Sequence, residues 1–160
     1  QGLVAGQELD LHGFSDRDGV DDGPLDRITR INALKTGALL CAEVEAGAIL
    51  GGRPDAERSL LRRFGEELGQ AFQIADDLID MLSDSAATGK DCRKDVGKET
   101  YLAVYGAEEA LRRCRGLLAS ADAALVGAGL SPEPFRCMID AIFTPMLDRV
   151  PQAQAASAAR

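Results

Sequence analysis

The sequence contains no tryptophan, and aromatic residues of all kinds make up only 4% of its 160 residues. The core of a β-sandwich is rich in β-branched and aromatic side chains. Here the 46% apolar content is dominated by alanine and leucine, which favour helices. The composition therefore predicts an all-α protein. Because one hydrophobic core is enough for a chain of this length, we expect residues 1–150 to form a single helical domain.

Metal-binding and disulfide-forming patterns of cysteine and histidine are also absent. There is one histidine, and the four cysteines lie far apart, at Cys41, Cys92, Cys114 and Cys137. This spacing gives no recognisable zinc site or disulfide framework. Three of the cysteines fall in helical patterns, which is typical of reduced, partly buried thiols and predicts a cytoplasmic protein. No apolar run reaches about 18 residues, so we predict no stable insertion into a membrane.

Basic residues are fewer than acidic ones, so the net charge is −8 and the isoelectric point is about 4.7. A protein with this overall field repels phosphate backbones, and we expect no nucleic-acid partner. An acidic protein can still bind an anionic ligand if local cations or metal ions reverse the field at the site. Any such site must therefore be sought in a local cluster of charges.

Hydrophobic periodicity and turn residues divide the chain into helical and loop segments. Pro24 suits a first helical turn, and Gly51-Gly52 should end the helix that follows it. The spaced aspartates of the first loop lack the closing glutamate of an EF-hand, so we interpret them as solvated. The last ten residues have no apolar stripe and are predicted to be disordered. The predicted helices are 1–12, 24–50, 54–83, 99–128 with a break near Gly106, and 132–149; the predicted loops are 13–23 and 84–98, and the tail is 151–160.

The third predicted helix has a wide apolar face and a narrow polar stripe. Its apolar positions are Leu60, Leu61, Phe64, Leu68, Ala71, Phe72, Ala75, Leu78, Ile79 and Leu82. Gln73, Asp77 and Asp80 share the polar stripe with Glu66 and Gln70, and Asp76 lies beside them. Carboxylates this close repel one another, and oxygen ligands without histidine or cysteine suit a hard cation such as Mg²⁺. The alternative is a solvated helix face.

Lysine is concentrated in the loop after this helix, where Lys90, Lys94 and Lys98 are three of the four lysines in the chain. Such a loop can form surface ion pairs of little energetic value. It can instead hold a diphosphate between Mg²⁺ and ammonium groups. The fourth lysine, Lys35, precedes Thr36 in an otherwise apolar helix, and alone it is a weak indication of function.

Four motifs follow one another along the chain: Gly6-Gln7 with Asp10, Lys35-Thr36-Gly37, Phe72-Gln73 before Asp76-Asp77-Leu78-Ile79-Asp80, and Thr88-Gly89-Lys90 with Lys98-Glu99-Thr100. This order resembles the latter half of the trans-isoprenyl (polyprenyl) diphosphate synthase family, over about residues 1–105. The compact loop 88–98 is similar to that of bacterial geranylgeranyl diphosphate synthases of carotenoid pathways.

The resemblance implies a fold and a reaction. The fold is the C-terminal part of an isoprenoid-synthase helical bundle, usually a homodimer around a deep cavity. The reaction condenses an allylic diphosphate with isopentenyl diphosphate to give farnesyl, geranylgeranyl or another polyprenyl diphosphate. The allylic diphosphate ionises first, and apolar walls keep water from the cation.

The resemblance also implies roles for individual residues. Asp76 would ligate Mg²⁺ directly, and Asp77 and Asp80 would act through water or as supports. Lys35, Lys90 and Lys98 would hold the departing diphosphate. The Thr36 hydroxyl, the Lys35 carbonyl and the Gln73 side chain would face the developing allylic cation.

One departure from the family pattern is the lack of its first aspartate-rich motif, which nothing in residues 1–75 supplies. The arginines expected to bind isopentenyl diphosphate are missing as well. We therefore expect the chain to be the second half of a larger synthase domain and to be inactive alone. Two alternatives are a non-catalytic partner subunit of a heteromeric prenyl synthase and a terpene cyclase, which the Phe-Gln-x-x-Asp-Asp and Gly-Lys signals fit poorly.

Overall fold

The structure is a computed structural model that describes residues 2–12, 23–86 and 100–148. Within these ranges every regular element is a helix and no strand occurs, so the all-α prediction is confirmed. None of these helices is long and apolar enough to cross a bilayer. In chain order they are α1 (Gly2–His12), α2 (Pro24–Asn32), a π-helical turn (Ala33–Gly37), α3 (Ala38–Leu50), α4 (Asp55–Ala86), α5 (Tyr101–Gly127), α6 (Glu133–Ile142) and α7 (Thr144–Leu147).

Most helix ends follow from local chemistry that the sequence displays. Pro24 occupies the first turn of α2, where its missing N–H has no intrahelical partner to lose. After α3, Gly52 adopts a positive φ of 66°, which glycine tolerates best. Thr100 caps α5 by accepting a hydrogen bond from the Ala103 amide at 3.1 Å. The predicted break near Gly106 is confirmed as a kink, with φ 75° and ψ 169° inside α5.

Two predicted helices were wrong in part. The continuous helix over 24–50 is interrupted by the π-helical turn Ala33–Gly37, which no periodicity argument indicated. The helix over 132–149 ends at Ile142, and α7 restarts at Thr144. Pro145 explains this second break, because it has no N–H to bond to the Ala141 carbonyl in a continuous helix, whereas it suits a first turn. The predicted tail 151–160 and most of both predicted loops lie outside the described residues.

The core is organised around α4, which packs against α3 and the π-helical turn on one side and α5 on the other. Phe64, Ile74 and Leu78 of α4 are almost completely buried, as are Cys114 and Leu125 of α5. The predicted apolar face of α4 is confirmed as buried at six positions, Leu61, Phe64, Leu68, Ala71, Ala75 and Leu78. Leu60 and Ile79 of the predicted face are half-buried.

Phe72 and Ile74 are the exceptions to the predicted face of α4. Phe72 is 42% exposed although its ring meets Phe143 edge-on with centroids 6.2 Å apart. Ile74, which was not assigned to the face, is 1% exposed. A helix with neighbours on two sides buries more than one stripe of side chains. The burial of residues at the edge of a single predicted stripe therefore differs from the prediction.

The cysteines behave as reduced side chains rather than as a framework. Cys41, Cys114 and Cys137 are unpaired thiols; the first two are buried, as expected, and Cys137 is exposed. Burial raises the pKa of Cys114 to about 12. Its thiol donates to the Ala71 carbonyl oxygen at 3.4 Å. Cys92 lies outside the described residues.

Glycines allow the backbones around the π-helical turn to approach unusually closely. A Cβ atom on Gly69 of α4 would stand 2.8 Å from the Gly37 Cα. A Cβ on Gly6 of α1 would overlap the Lys35 backbone nitrogen. Because the obstructing atoms are backbone, neither contact could be relieved by a side-chain rotation. The π-helical turn is therefore held between α1 and α4 by two positions that admit only glycine.

We expect Gly69→Ala to lower the free energy of unfolding by about 1–3 kcal/mol, the typical cost of overfilling a packed contact. The matched control is Gly116→Ala in α5, where a Cβ would meet nothing within 4 Å. There the added methyl should raise stability by about 0.5–1 kcal/mol, because alanine favours helix interiors over glycine. Urea unfolding followed by circular dichroism measures both changes. A Gly69→Ala chain as stable as the parent would disprove the close crossing.

Candidate functional site

The π-helical turn places Lys35 and Thr36 between two other helices. A π-helical turn is rare and is frequently found at functional sites. The Lys35 ammonium donates to Asp10 Oδ2 of α1 at 2.7 Å, with side chains 31% and 22% exposed. Lys35 is thus one partner of a partly buried ion pair, and its ammonium does not simply extend into water as that of a surface lysine would.

Thr36 links this turn to α4. Its hydroxyl donates a long hydrogen bond of 3.4 Å to the Gln73 amide oxygen. The Gln73 side chain in turn lies close enough to the Asp77 carboxylate, one helical turn further along α4, to lower the pKa of that group. An amide side chain can accept at its oxygen and donate at its nitrogen. Thr36, Gln73 and Asp77 therefore form one connected row that starts beside the Lys35 ion pair.

Asp77 is the most perturbed carboxyl group of this row. It is half-buried, and burial, followed by the charges of Asp76 and Asp80, raises its pKa to about 6. Hydrogen bonds from the Gln73 side chain and the Tyr101 backbone amide oppose that rise. Burial is the larger cause of the raised pKa, and the like-charge repulsion predicted for this motif adds to it.

The side chains of Asp76 and Asp80 are exposed to water, and only that of Asp77 is half-buried. Within the described ranges, no three histidine, cysteine, aspartate or glutamate side chains are gathered closely enough to hold a metal ion. A closed cage is not what Mg²⁺ requires, because it usually binds one or two carboxylates, waters and ligand phosphates. The oxygen-only donors of α4 fit an open site of that kind.

The structure brings together some of the predicted site residues and not others. Thr36 contacts Gln73, which lies one turn before Asp77 on α4, and Lys35 precedes Thr36 in the π-helical turn. Asp76 and Asp80 stand beside it on α4, close enough for their charges to act on Asp77. Lys90 and Lys98, the other two predicted diphosphate ligands, lie outside the described residues. The pairing of Lys35 with Asp10 was not predicted, although both residues belong to recognised motifs.

A second hydrogen-bonded group, which sequence reasoning missed, borders Asp77. The Tyr101 hydroxyl donates to Gln70 Oε1 at 3.0 Å and lies 2.8 Å from the Thr29 hydroxyl. Gln70 Nε2 donates to the Thr29 carbonyl oxygen at 3.0 Å. Gln70 was noted in the polar stripe of α4, and a half-buried glutamine there was the one available sign of this group. We refer to Thr29, Gln70 and Tyr101 as the tyrosine network.

An open groove of about 590 Å³ runs along the other side of the crossing between α3 and α4. Its walls carry small side chains and four charged ones, Glu45, Arg62, Glu66 and Glu67. It borders Thr29 and Gln70 but includes none of Lys35, Thr36, Gln73 and Asp77. The row of predicted site residues therefore lies apart from this groove.

Comparison with known proteins agrees with the motifs. The sequence profile of the family described as polyprenyl synthetase matches residues 1–123. The chain is 40% identical over 121 residues to farnesyl diphosphate synthase of Escherichia coli (strain K12), covering 73% of this chain and 38% of that protein. It is 37% identical over 122 residues to geranylgeranyl diphosphate synthase of Cyanophora paradoxa, covering 75% and 39%.

A solved structure is similar as well. The apo crystal structure of an FPP/GFPP synthase from Zymomonas mobilis superposes with a TM-score of 0.60 at 33% identity, covering 96% of this chain and 45% of that one. The chain thus spans less than half the length of these relatives.

The charge crowding at Asp77 predicts a pH-dependent stability. The folded pKa of about 6 lies above the ordinary 3.8, so the unfolded chain loses this proton first as the pH rises. The stability that this carboxyl group contributes near pH 4 is therefore lost as the pH rises through 6.

Asp77→Asn keeps a hydrogen-bond acceptor and removes the charge. In metal-free buffer at pH 7.5 it should raise the free energy of unfolding by about 1 kcal/mol, allowing for partial exposure.

At pH 4 the same substitution should have little effect on the free energy of unfolding, since Asp77 is then protonated in the folded state. Urea unfolding at both pH values, with a chelator present, measures the difference. Glu66→Gln is the control, because Glu66 is an exposed carboxylate of the same helix. An equal gain at the two pH values would show that repulsion at Asp77 is not its cause.

Proposed function

The chain belongs to the polyprenyl synthetase family, and from that premise we propose that it is the diphosphate-ionising half of a prenyltransferase. The whole enzyme would condense an allylic diphosphate with isopentenyl diphosphate into a longer polyprenyl diphosphate, of the geranylgeranyl or farnesyl type. The observation that carries the proposal is that the π-helical turn holds Lys35 beside Asp10 and Thr36 against Gln73, on the helix that carries Asp77. These are residue types that can hold a leaving diphosphate and face a cation.

We assign the divalent metal, Mg²⁺, to the carboxylates of α4. Asp76 would be the direct ligand, and Asp77 and Asp80 would act through water or as supports. When bound, Mg²⁺ neutralises charge on the departing diphosphate. The support for this assignment is the oxygen-only donor set of Asp76, Asp77 and Asp80 on one helix.

Lys35 would bind a diphosphate oxygen. In the structure its ammonium is held by Asp10 at 2.7 Å, and an ammonium group has three donors, so it can contact both a carboxylate and a diphosphate. Asp10 thereby orients Lys35 without using all its hydrogen-bonding capacity. We assign the same diphosphate-binding role to Lys90 and Lys98 on the grounds of their motif alone.

Thr36 and Gln73 would face the developing allylic cation. The Thr36 hydroxyl donates a hydrogen bond to the Gln73 amide oxygen. The lone pairs of the hydroxyl oxygen are therefore available to stabilise a cation. The Lys35 carbonyl oxygen is the third dipole of this set. Dipoles fixed before the reaction stabilise charge at little reorganisation cost. The homodimer and the cytoplasmic location expected from the sequence remain predictions.

We expect the 160-residue chain alone, with Mg²⁺, farnesyl diphosphate and labelled isopentenyl diphosphate, to yield no more prenyl product than an Asp76→Ala chain. The reason is that the first aspartate-rich motif is not among its residues. Extraction and chromatography of the labelled product measure this. Robust turnover by the chain alone would refute it.

A chimera tests the assigned function itself. Residues 1–123 would replace the aligned segment of the Escherichia coli farnesyl diphosphate synthase, with which they share 40% identity. We expect the chimera to form prenyl product. Asp76→Ala should lower its kcat by about a hundredfold or more, as expected when a group that stabilises developing charge is lost.

Glu66→Ala is the control, since it removes an exposed carboxylate of the same helix. Its kcat should stay within about twofold of the parent chimera, as is usual for surface changes. A chimera that folds, by circular dichroism and gel filtration, and yet forms no product would favour the non-catalytic partner subunit. Equal losses in both variants would refute the role of Asp76.

A further inference from the structure

The tyrosine network is a closed ring of three hydrogen bonds that joins α2, α4 and α5. Gln70 Nε2 donates to the Thr29 carbonyl oxygen at 3.0 Å. The Tyr101 hydroxyl uses its single proton on Gln70 Oε1 at 3.0 Å, so the Thr29 hydroxyl, 2.8 Å away, donates to the Tyr101 oxygen. Because a carbonyl oxygen can only accept, the Thr29 carbonyl fixes which way the Gln70 amide points.

The Thr29 carbonyl is the one member of this ring that belongs to a helix backbone. It lies four residues before Ala33, where the π-helical turn begins. The Ala33 amide is shared between the carbonyl oxygens of Thr29 and Arg30. A carbonyl oxygen has two lone pairs, so that of Thr29 can accept from Gln70 as well. The Gln70 amide therefore binds the backbone of α2 immediately before the π-helical turn.

The preceding residue of α4 holds the other side of the same turn. Gly37 is the last residue of the π-helical turn, and it meets Gly69 so closely that a Cβ on Gly69 would stand 2.8 Å from the Gly37 Cα. Gly69 and Gln70 are consecutive in the sequence. Both sides of the π-helical turn are thus fixed to one short stretch of α4, the far side by backbone packing and the near side by the Gln70 side chain.

Fixing both sides preserves the irregular geometry between them. A π-helical turn is wider than an α-helical one, and a return to regular α-helix would change the rotation of α2 relative to α3 by about 100°, since the α-helix has 3.6 residues per turn. That rotation would carry the Thr29 carbonyl away from Gln70. The hydrogen bond between them therefore opposes it. Lys35 and Thr36 lie between the two fixed points, and their side chains reach α1 and α4 from there.

We propose that Gln70 is a positioning residue for the π-helical turn: its amide holds the Thr29 carbonyl and thereby fixes the direction in which the turn presents its side chains to the candidate site. Those side chains include Lys35 and Thr36. Their part in the reaction rests on the proposed function, whereas the hold of Gln70 on the turn does not.

Gln70→Met tests the proposal, because methionine keeps the length of the side chain and removes both of its polar atoms. Tyr101→Phe is a second, milder variant, since it leaves the bond to Thr29 in place and removes only the hydroxyl that orients the Gln70 amide. Ser120→Ala is the matched control. It removes another hydroxyl that links α5 to α4, through a 2.8 Å hydrogen bond to Glu67, outside the ring.

Two measurements are made on the 160-residue chain by nuclear magnetic resonance. Amide hydrogen exchange in residues 33–38 reports on the π-helical turn, and exchange in residues 42–48 of α3 is the internal reference. The nuclear Overhauser effect between the side chains of Thr36 and Gln73 reports on the contact that the turn makes with α4 in the folded chain.

In Gln70→Met we expect residues 33–38 to exchange about tenfold faster, which is the effect of losing about one hydrogen bond, and the Overhauser effect between Thr36 and Gln73 to disappear. In Tyr101→Phe the same amides should exchange about threefold faster, because the bond to Thr29 is weakened and not lost. Residues 42–48 should keep the parent rate in both variants. Ser120→Ala should change neither quantity.

Parent-rate exchange in residues 33–38 of Gln70→Met overturns the proposal. An even increase through all the helices, or an Overhauser effect that persists, does so too, because a merely structural role predicts those results. If Gln70→Met does not fold, exchange in Tyr101→Phe decides by the same criteria.

Activity of the chimera separates this inference from the proposed function. We expect Thr36→Val and Gln70→Met each to lower its kcat by about tenfold, through loss or displacement of a dipole that faces the cation, and Ser120→Ala to stay within about twofold. A loss with Thr36→Val but not with Gln70→Met would refute the positioning role and leave the proposed function standing. If Thr36→Val is as active as the parent, the role assigned to Thr36 fails, and the exchange rates still decide whether Gln70 holds the turn.

Discussion

The contact between Gly37 and Gly69 determines how close the π-helical turn comes to α4, and the candidate site depends on that distance. A side chain at Gly69 would push the two backbones apart, because a Cβ there would stand 2.8 Å from the Gly37 Cα. The hydrogen bond from Thr36 to Gln73 is already long at 3.4 Å, and such a bond weakens steeply on further separation. A small backbone shift at the crossing would therefore disconnect Thr36 from α4.

Charged side chains are arranged differently at the candidate site and on the rest of the described surface. Elsewhere on the described surface, opposite charges pair across one helical turn, as in Arg63 with Glu67 and Arg113 with Glu109. At the aspartate motif of α4 like charges stand together, and they add to the rise that burial causes in the pKa of Asp77. Sites that bind cations commonly reduce stability in this way until the ligand arrives. Lys35 differs, because Asp10 already compensates its charge.

Several elements were predictable because they depend on near neighbours in the chain. The start of α2 at Pro24, the end of α3 before Gly51 and the break at Gly106 follow from the backbone preferences of single residues. The exposure of Phe72 and the burial of Ile74 were not predictable, because they depend on which sides of α4 the other helices cover. The π-helical turn was missed for a related reason: its insertion changes the helical period that the sequence pattern assumes.

The amino-acid sequence by itself determined the helical class, the acidic character and the motifs by which the family can be recognised, because composition and local spacing are enough to specify them. Tertiary structure alone decided the partners of those motifs. Lys35 pairs with a residue 25 positions earlier, and Tyr101 reaches Gln70 and Thr29 across 31 and 72 positions. No periodicity of 3.6 residues can encode contacts between helices, since these depend on how close the backbones come and at what angle they cross.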